Sequence, residues 1–156
     1  MKASVAQDCI VSDSTCLIGL ERIDRLDIPP QIYNKFWIPL AVQTEIGFSL
    51  PWIEIKQVQN QVLVSSLRSQ IGWGESEAIA LALEFEGTPI LLDDKKARGI
   101  AKRFDLPITG TVGLLLKAKR QGIVNTITPI LNALESVEFR VSPALRRRAL
   151  ILANEE

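Results

Sequence analysis

Apolar and polar residues alternate along this chain with two different periods, and the change of period divides the chain into short strands and amphipathic helices. Short apolar or alternating runs, which are typical of strands, occur at 8–13, 36–40, 52–58, 89–92 and 107–109. Stretches with apolar residues three and four positions apart predict helices after Asp13 and Pro39, and at 61–69, 75–83, 95–104, 111–121, 126–134 and 143–153. Strands that alternate with helices predict an α/β fold with a mostly parallel central sheet.

Residues that start or stop helices mark several boundaries. Ser14 or Thr15 is expected to cap the first helix, and the Pro29-Pro30 pair is expected to close that segment. Gly87 is expected to end the helix over 75–83.

Length and composition fit one soluble domain. The 156 residues are 47% hydrophobic and 23% charged, which predicts a single domain with a core at about 8–122 and a helical extension at about 126–154. No uncharged apolar run is long enough for a membrane span, and the first residues do not resemble a secretory signal. We therefore expect a cytoplasmic protein in which Cys9 and Cys16 are reduced core residues.

The chain has no histidine. This excludes Ser-His-Asp and Cys-His nucleophile systems and the usual zinc ligand sets. Carboxylates, lysines, hydroxyls or a cofactor must then carry any catalysis, and carboxylates prefer hard cations such as Mg²⁺ or Mn²⁺.

Charge is unevenly distributed although the net charge is zero. Residues 1–92 hold 11 acidic and 6 basic side chains, whereas residues 93–156 hold 7 acidic and 12 basic ones. A basic half beside an acidic half is typical of a phosphate-binding surface next to a metal site, and equally of solvated helix faces.

Acidic residues recur where predicted strands end and predicted helices begin. Since functional crevices in parallel sheets lie beyond the carboxyl ends of the strands, these residues are candidates for one site. They are Asp13, Glu45, Glu75 or Glu77, and Asp93 or Asp94. Clustered carboxylates stay ionised when a cation neutralises them, and such a cation activates water for attack on a phosphodiester.

Each of these residues also has a structural interpretation. Asp13 and Glu75 are at positions where carboxylates cap helices or interact with the helix dipole. Glu75 and Glu77 point about 200° apart on a helix, and we prefer Glu75 because Ala78, Ile79 and Ala82 share its face. Thr111 is a candidate for contacting a ligand, although N-capping of its own helix is the simpler expectation.

Five segments resemble signatures of the PIN-domain family, most closely its DUF3368 subgroup. They are IVSDSTCLI at 10–18, IPLAVQTE at 38–45, GESEAIALA at 74–82, LLDDKKAR at 91–98 and ITGTVGLL at 108–115. The resemblance covers about residues 8–122. It implies a three-layer α/β/α sandwich, an acidic pocket that holds Mg²⁺ or Mn²⁺, and endonucleolytic cleavage of RNA.

The resemblance also implies roles for individual residues. Asp13, Glu45, Glu75 and Asp93 correspond to the catalytic acids, and Asp13, Glu75, Asp93 and Asp94 to the metal ligands. Many bacterial members are VapC-like toxins that a small antitoxin protein neutralises, and many are dimers. From the charge distribution, we expect Lys95, Lys96 and Arg98 to contact RNA phosphates.

Two other functions remain open for this sequence. A catalytically silent PIN-fold module would bind RNA or a protein partner, but it would have no physical need to keep all four acidic positions. A phosphoryl-transfer receiver domain also uses strand-end aspartates. It normally needs an acidic pair at the end of the first strand, where this chain has Ser14 and Thr15 after Asp13.

Overall fold

The computed structural model describes residues 9–86 and 88–156. Three expectations concern residues outside these ranges. They are that the first strand starts at Asp8, that the first residues are not a secretory signal, and that Gly87 ends a helix.

The described residues form a sheet of five parallel strands. In chain order these are β1 (Cys9–Ser12), β2 (Lys35–Pro39), β3 (Ile53–Lys56), β4 (Ile90–Leu91) and β5 (Ile108–Thr109). Their order across the sheet is β3-β2-β1-β4-β5, and every neighbouring pair is parallel. The predicted α/β class with a parallel sheet is confirmed.

Nine helices connect and cover the described strands. They are α1 (Ser14–Arg22), α2 (Pro29–Ile32), α3 (Leu40–Ile46), α4 (Gln61–Leu67), α5 (Trp73–Glu84), α6 (Lys95–Arg103), α7 (Thr111–Arg120), α8 (Thr128–Ser136) and α9 (Pro143–Leu152).

The two faces of the sheet bury two separate hydrophobic clusters. Successive strand residues point to opposite faces, so Ile10 joins one cluster while Cys9 and Val11 join the other. Side chains of α1, α7, α8 and α9 fill the first cluster, and those of α4, α5 and α6 fill the second. Helices on both faces of one sheet give the three-layer α/β/α sandwich.

The chain changes direction across the sheet between β1 and β4. From β1 it adds β2 and β3 on one side, then returns to place β4 and β5 on the other. In open parallel sheets the crevice at such a switch point is where ligands bind. Asp13 follows β1 directly and Asp93 follows β4 closely, so both lie at this switch point.

Three boundary predictions were wrong. The cap of α1 is Asp13 itself, not Ser14 or Thr15, because its carboxylate reaches the backbone of the first turn. The Pro29-Pro30 pair begins the one-turn helix α2, since proline lacks only an N–H that the first turn does not use. The helix predicted at 126–134 lies two residues further along the chain, at Thr128–Ser136.

Both cysteines are free and buried, as predicted. No helix among the described residues is both long enough and apolar enough to cross a membrane.

Candidate functional site

Asp13 is the most buried acidic residue at the switch point, with 1% of its surface exposed. Its backbone N–H donates to the carbonyl oxygen of Leu91 (3.2 Å), which links the end of β1 to β4. Its Oδ1 accepts a hydrogen bond from the Thr15 N–H (3.2 Å). Among the described residues nothing donates a hydrogen bond to Oδ2, so one oxygen caps α1 and the other is available.

Glu45 reaches the site from α3. Its Oε1 accepts a hydrogen bond from the Ser14 hydroxyl (2.7 Å), which ties it to the first turn of α1. The carboxylate also lies against the backbone of Gly74, where a Cβ would be only 2.5 Å from Oε1. Glycine at this position therefore makes room for Glu45 beside Glu75.

Glu75 and Glu77 have different partners. Oε1 of Glu75 accepts from the Gly72 N–H (3.2 Å) at the start of α5, and the side chain is partly exposed. Glu77 is 6% exposed, and its Oε1 accepts from the Ala41 N–H (2.9 Å). Since α3 has no side-chain cap at Pro39, Glu77 provides that cap from another helix. The two glutamates thus diverge, and only Glu75 lies with the other acids.

Asp93 is held by the start of α7. Its Oδ1 accepts from the Thr111 N–H (2.9 Å) and its Oδ2 from the Thr111 hydroxyl (2.6 Å). The cap position of α7 is Gly110, so the expected N-capping by Thr111 is wrong. The buried Thr111 hydroxyl instead fixes the orientation of Asp93.

Asp94 has the simpler role of the two neighbouring aspartates. It is exposed and caps α6, because its Oδ2 accepts from the Ala97 N–H (2.9 Å).

The four acids interact electrostatically, most clearly at Asp13. Burial raises the pKa of Asp13 well above its usual range, and the negative charges of Asp93, Glu75 and Glu45 raise it further. The hydrogen bond from Thr15 opposes this shift. Carboxylates from four distant segments are therefore close enough to oppose one another's ionisation.

The pKa values of Glu75 and Asp93 are also raised, mainly by burial. Burial raises the pKa of Glu75, the hydrogen bond from Gly72 lowers it, and the charge of Asp94 raises it. Burial also raises the pKa of Asp93, against the two hydrogen bonds from Thr111.

A cavity of about 700 Å³ opens onto part of this cluster. Its acidic lining residues are Glu75, Asp93, Asp94 and Glu138, and Arg22 and Lys95 lie beside them. Phe139 and Arg140 line it from the C-terminal part of the chain. Asp13 and Glu45 do not line this cavity.

The donor set fits a hard divalent cation in chemistry. Carboxylate oxygens without histidine or accessible thiols are the ligands that Mg²⁺ and Mn²⁺ prefer. Within residues 9–86 and 88–156, no three acidic or cysteine side chains are grouped closely enough to hold one ion. In this structure Glu75 and Asp93 accept hydrogen bonds from neighbouring backbone N–H groups instead.

The predicted RNA-binding residues differ in exposure. Lys95 and Lys96 are exposed, and Lys95 lines the acidic cavity. Arg98 is partly buried, donates to the Leu92 carbonyl (2.8 Å) and lies beside Asp93 and Gly110. Arg98 is therefore at least partly structural.

Sequence reasoning missed several residues at the site. Ser14, expected as a cap, positions Glu45. Phe139 and Arg140 were not considered, because no sequence pattern relates them to Asp93. Their place depends on a tertiary contact: a Cβ at Gly19 would be 2.7 Å from the Phe139 ring, so glycine lets this ring approach α1.

Comparison with known proteins identifies the family of the chain. A family model described as DUF3368: PIN domain matches residues 9–155. No curated protein and no solved structure matches the chain. The matched range includes all the acidic residues described above and extends past residue 122, where the resemblance seen in the sequence ends.

Proposed function

Because the chain belongs to the PIN-domain family, whose members are generally metal-dependent ribonucleases, we propose that it is a metal-dependent endoribonuclease. The observation that carries the proposal is the electrostatic state of Asp13. Its ionisation is opposed by burial and by the charges of Asp93, Glu75 and Glu45. An arrangement of this kind costs stability unless a cation compensates the charges.

Asp13, Glu75 and Asp93 would hold the cation, with Asp94 at the edge of the same set. A bound Mg²⁺ or Mn²⁺ supplies positive charge that stabilises the negative charge developing on a phosphodiester oxygen. Thr111 is a positioning residue, since its two hydrogen bonds orient Asp93. Glu45, which Ser14 positions, is the exposed carboxylate available to accept a proton.

Lys95 and Lys96 are proposed to hold RNA phosphates at the entrance to the acidic cavity. Both are exposed, and neither makes an ion pair among the described residues. Arg98 would contribute positive charge from behind Asp93. Phosphate contacts of this kind position the strand without reading its sequence.

The test is cleavage of single-stranded and structured RNA by the purified protein, with Mg²⁺, with Mn²⁺ and with EDTA. We expect cleavage only with a divalent cation. Asp13→Asn should lower the rate by about 100-fold or more, since even residues that merely support metal ligands contribute about 10- to 100-fold. Asp24→Asn is the matched control, because Asp24 is exposed and has a positive φ that asparagine tolerates.

Cleavage by Asp13→Asn at the wild-type rate would overturn the assignment of Asp13. Binding of RNA without cleavage under any metal condition would favour the alternative, a catalytically silent PIN-fold module.

We further propose, on the resemblance to VapC-like proteins, that this ribonuclease is the toxin of a toxin–antitoxin pair. It would act in the cytoplasm as a homodimer and would be neutralised by a small antitoxin protein. Expression in a bacterial host should arrest growth, and the Asp13→Asn protein should not. Unchanged growth with active wild-type enzyme would contradict the toxin role, and sedimentation as a monomer would contradict the dimer.

A further inference from the structure

A second cavity, of about 760 Å³, adjoins the acidic one. The two cavities share Asp93, Lys95, Phe139 and Arg140 as lining residues. The second cavity extends from there between α7 and α9, and we call it the C-terminal groove. Because the two cavities share lining residues, a polymeric ligand bound in the acidic cavity can continue into the C-terminal groove.

The lining of the groove combines apolar and basic side chains. Val112 and Leu116 of α7 face it from one side. Leu145 and Leu152 of α9 line the other, and they are 44% and 62% exposed. The adjoining cavity differs, because its lining holds four acidic side chains and the lining of the groove holds one.

Basic side chains outnumber acidic ones in the described lining of the groove. The bases are Lys95, Arg98, Arg140 and Arg148, against the acid Asp93. Such a charge balance favours a polyanion, and the apolar side chains of the lining suit the faces of unstacked bases.

The three consecutive arginines of α9 have three different environments. Arg146 donates to Glu135 (3.1 Å) and to Asn132 (2.7 Å) and so joins α9 to α8. Arg147 is directed to Glu156, with 3.9 Å between Nε and Oε2. Arg148 lines the groove and has no ion pair or hydrogen-bond partner in the described part of the chain.

Arg140 lies where the two cavities meet. The preceding residue, Phe139, is fixed by its ring contact with Gly19 and by its N–H, which donates to the Leu134 carbonyl (3.0 Å). Arg140 itself makes no ion pair or hydrogen bond within residues 9–86 and 88–156. Its backbone is thus anchored while its charge is uncompensated.

We propose that the C-terminal groove is a binding site for the RNA strand on one side of the cleaved bond, with Arg140 and Arg148 holding backbone phosphates. The inference rests on the proposed ribonuclease function. RNA is favoured over an acidic protein segment because the groove leads directly into the acidic cavity. The proposed reaction requires a phosphodiester chain in that cavity, whereas an acidic protein segment has no role in the reaction.

The experiment is a salt titration of binding to a single-stranded RNA oligonucleotide in EDTA, where cleavage does not interfere. Arg140→Gln and Arg148→Gln are compared with Arg147→Gln, which removes the same charge from the neighbouring position of the same helix. Each groove variant should lower the slope of log affinity against log salt by about 0.7, and should weaken binding about five-fold at about 0.1 M salt. Arg147→Gln should leave the wild-type slope unchanged, and melting temperatures should show that all variants fold.

The outcomes separate this inference from the proposed function. Equal slopes for all three variants, or no binding of RNA by the wild type, would overturn the groove assignment even if the enzyme cleaves RNA. Reduced slopes for the two groove variants would support it even if no cleavage is found. Polyglutamate that binds in an Arg148-dependent manner while RNA does not would identify the groove as a site for an acidic protein segment, and would also overturn the proposal.

Discussion

The carboxyl group of Asp13 is both a helix cap and a buried charge, and these two roles act on stability in opposite directions. The cap satisfies a backbone N–H of α1 and typically contributes about 1 kcal/mol. Asp13 is only 1% exposed, and its negative charge is repelled by three other carboxylates. Asparagine caps helices about as well as aspartate, so Asp13→Asn removes the charge while keeping the cap.

We expect Asp13→Asn to be more stable than the wild type in EDTA at neutral pH. Each 1 kcal/mol gained should raise the melting temperature of a chain of this length by about 2 to 4 °C. Added Mn²⁺ should stabilise the wild type more than the variant, because a cation that binds only the folded state stabilises it. Thermal unfolding with EDTA and with Mn²⁺ checks both points, and a lower melting temperature for Asp13→Asn in EDTA would contradict the first.

Substitutions of the neighbouring acids Glu75 and Glu77 are expected to have different effects, one on RNA cleavage and the other on stability. Glu77→Ala leaves the buried Ala41 N–H without its acceptor, which should cost about 1 to 3 kcal/mol of unfolding free energy. Glu75→Gln keeps an oxygen for the Gly72 N–H but removes the charge. It should therefore abolish cleavage with little loss of stability.

Urea unfolding and RNA cleavage, measured on both variants, test these two expectations. If Glu77→Ala were as stable as the wild type, or if Glu75→Gln cleaved normally, the two roles would have to be reassigned.

Among the elements, the central ones were predictable because each is determined by its own residues. β1 is buried throughout and is apolar up to Ser12, as expected of a strand covered on both faces, and α5 is rich in Ala and Leu. The ends of β1 and β4 could be located from the acids that follow them. This was enough to predict that Asp13 and Asp93 lie at one edge of a parallel sheet.

Other features depend on contacts between segments that are far apart in the sequence. The bond between Glu77 and Ala41 spans 36 positions, and nothing in either segment indicates it. Helix spacing was enough to prefer Glu75 over Glu77 as a site residue. It could not show that Glu77 caps α3. The roles of Thr111 and Phe139 likewise follow from which elements pack together, so they required the structure.

The contact between α3 and α5 predicts the effect of a substitution at Gly74, which lies against the Glu45 carboxylate. Gly74→Ala places a methyl group where the Glu45 carboxylate now lies, and the flexible, exposed side chain of Glu45 can move away. The fold should therefore tolerate the change, but cleavage should fall because Glu45 is displaced.

Gly99→Ala in α6 is the matched control, since no described atom outside its own helix backbone lies within 4 Å of the position that the new methyl group would take. It should increase stability by about 0.5 to 1 kcal/mol, as alanine does in exposed helices, and leave cleavage unchanged. Full activity of Gly74→Ala would show that the position of Glu45 does not matter for the reaction.

On the scale of the whole molecule, Glu155 joins the end of the described chain to the layer that contains α7 and α8. Its side chain is 8% exposed and pairs with Lys119 (2.9 Å). It also accepts from the Ile127 N–H (2.8 Å), the Thr128 N–H (2.9 Å) and the Thr128 hydroxyl (2.5 Å). Burial alone would raise the pKa of Glu155, but these hydrogen bonds lower it to about 2.

A carboxyl group whose pKa is lowered by folding stabilises the fold above its ordinary pKa, and this contribution is lost as the pH falls toward the lowered value. Glu155→Gln should therefore cost about 1 to 3 kcal/mol at neutral pH. The difference from the wild type should shrink as the pH is lowered from about 4.5 toward 2. Urea unfolding at a series of pH values measures it, with the exposed Glu156→Gln as control. A difference independent of pH would show that the charge of Glu155 is not what stabilises this contact.

The strand order also has a consequence for the order in which the molecule can assemble during synthesis. β1 leaves the ribosome first, and β2 and β3 can join it early, but β4 on its other side follows only after α5. Until then the polar backbone groups along one edge of β1 are unpaired, and such edges favour wrong associations. Asp93 is translated after β4, so a nascent chain that already carries Asp13, Glu45 and Glu75 still lacks one of its four acids. The acidic cluster of the proposed ribonuclease can therefore be complete only after β4 and Asp93 have been synthesised.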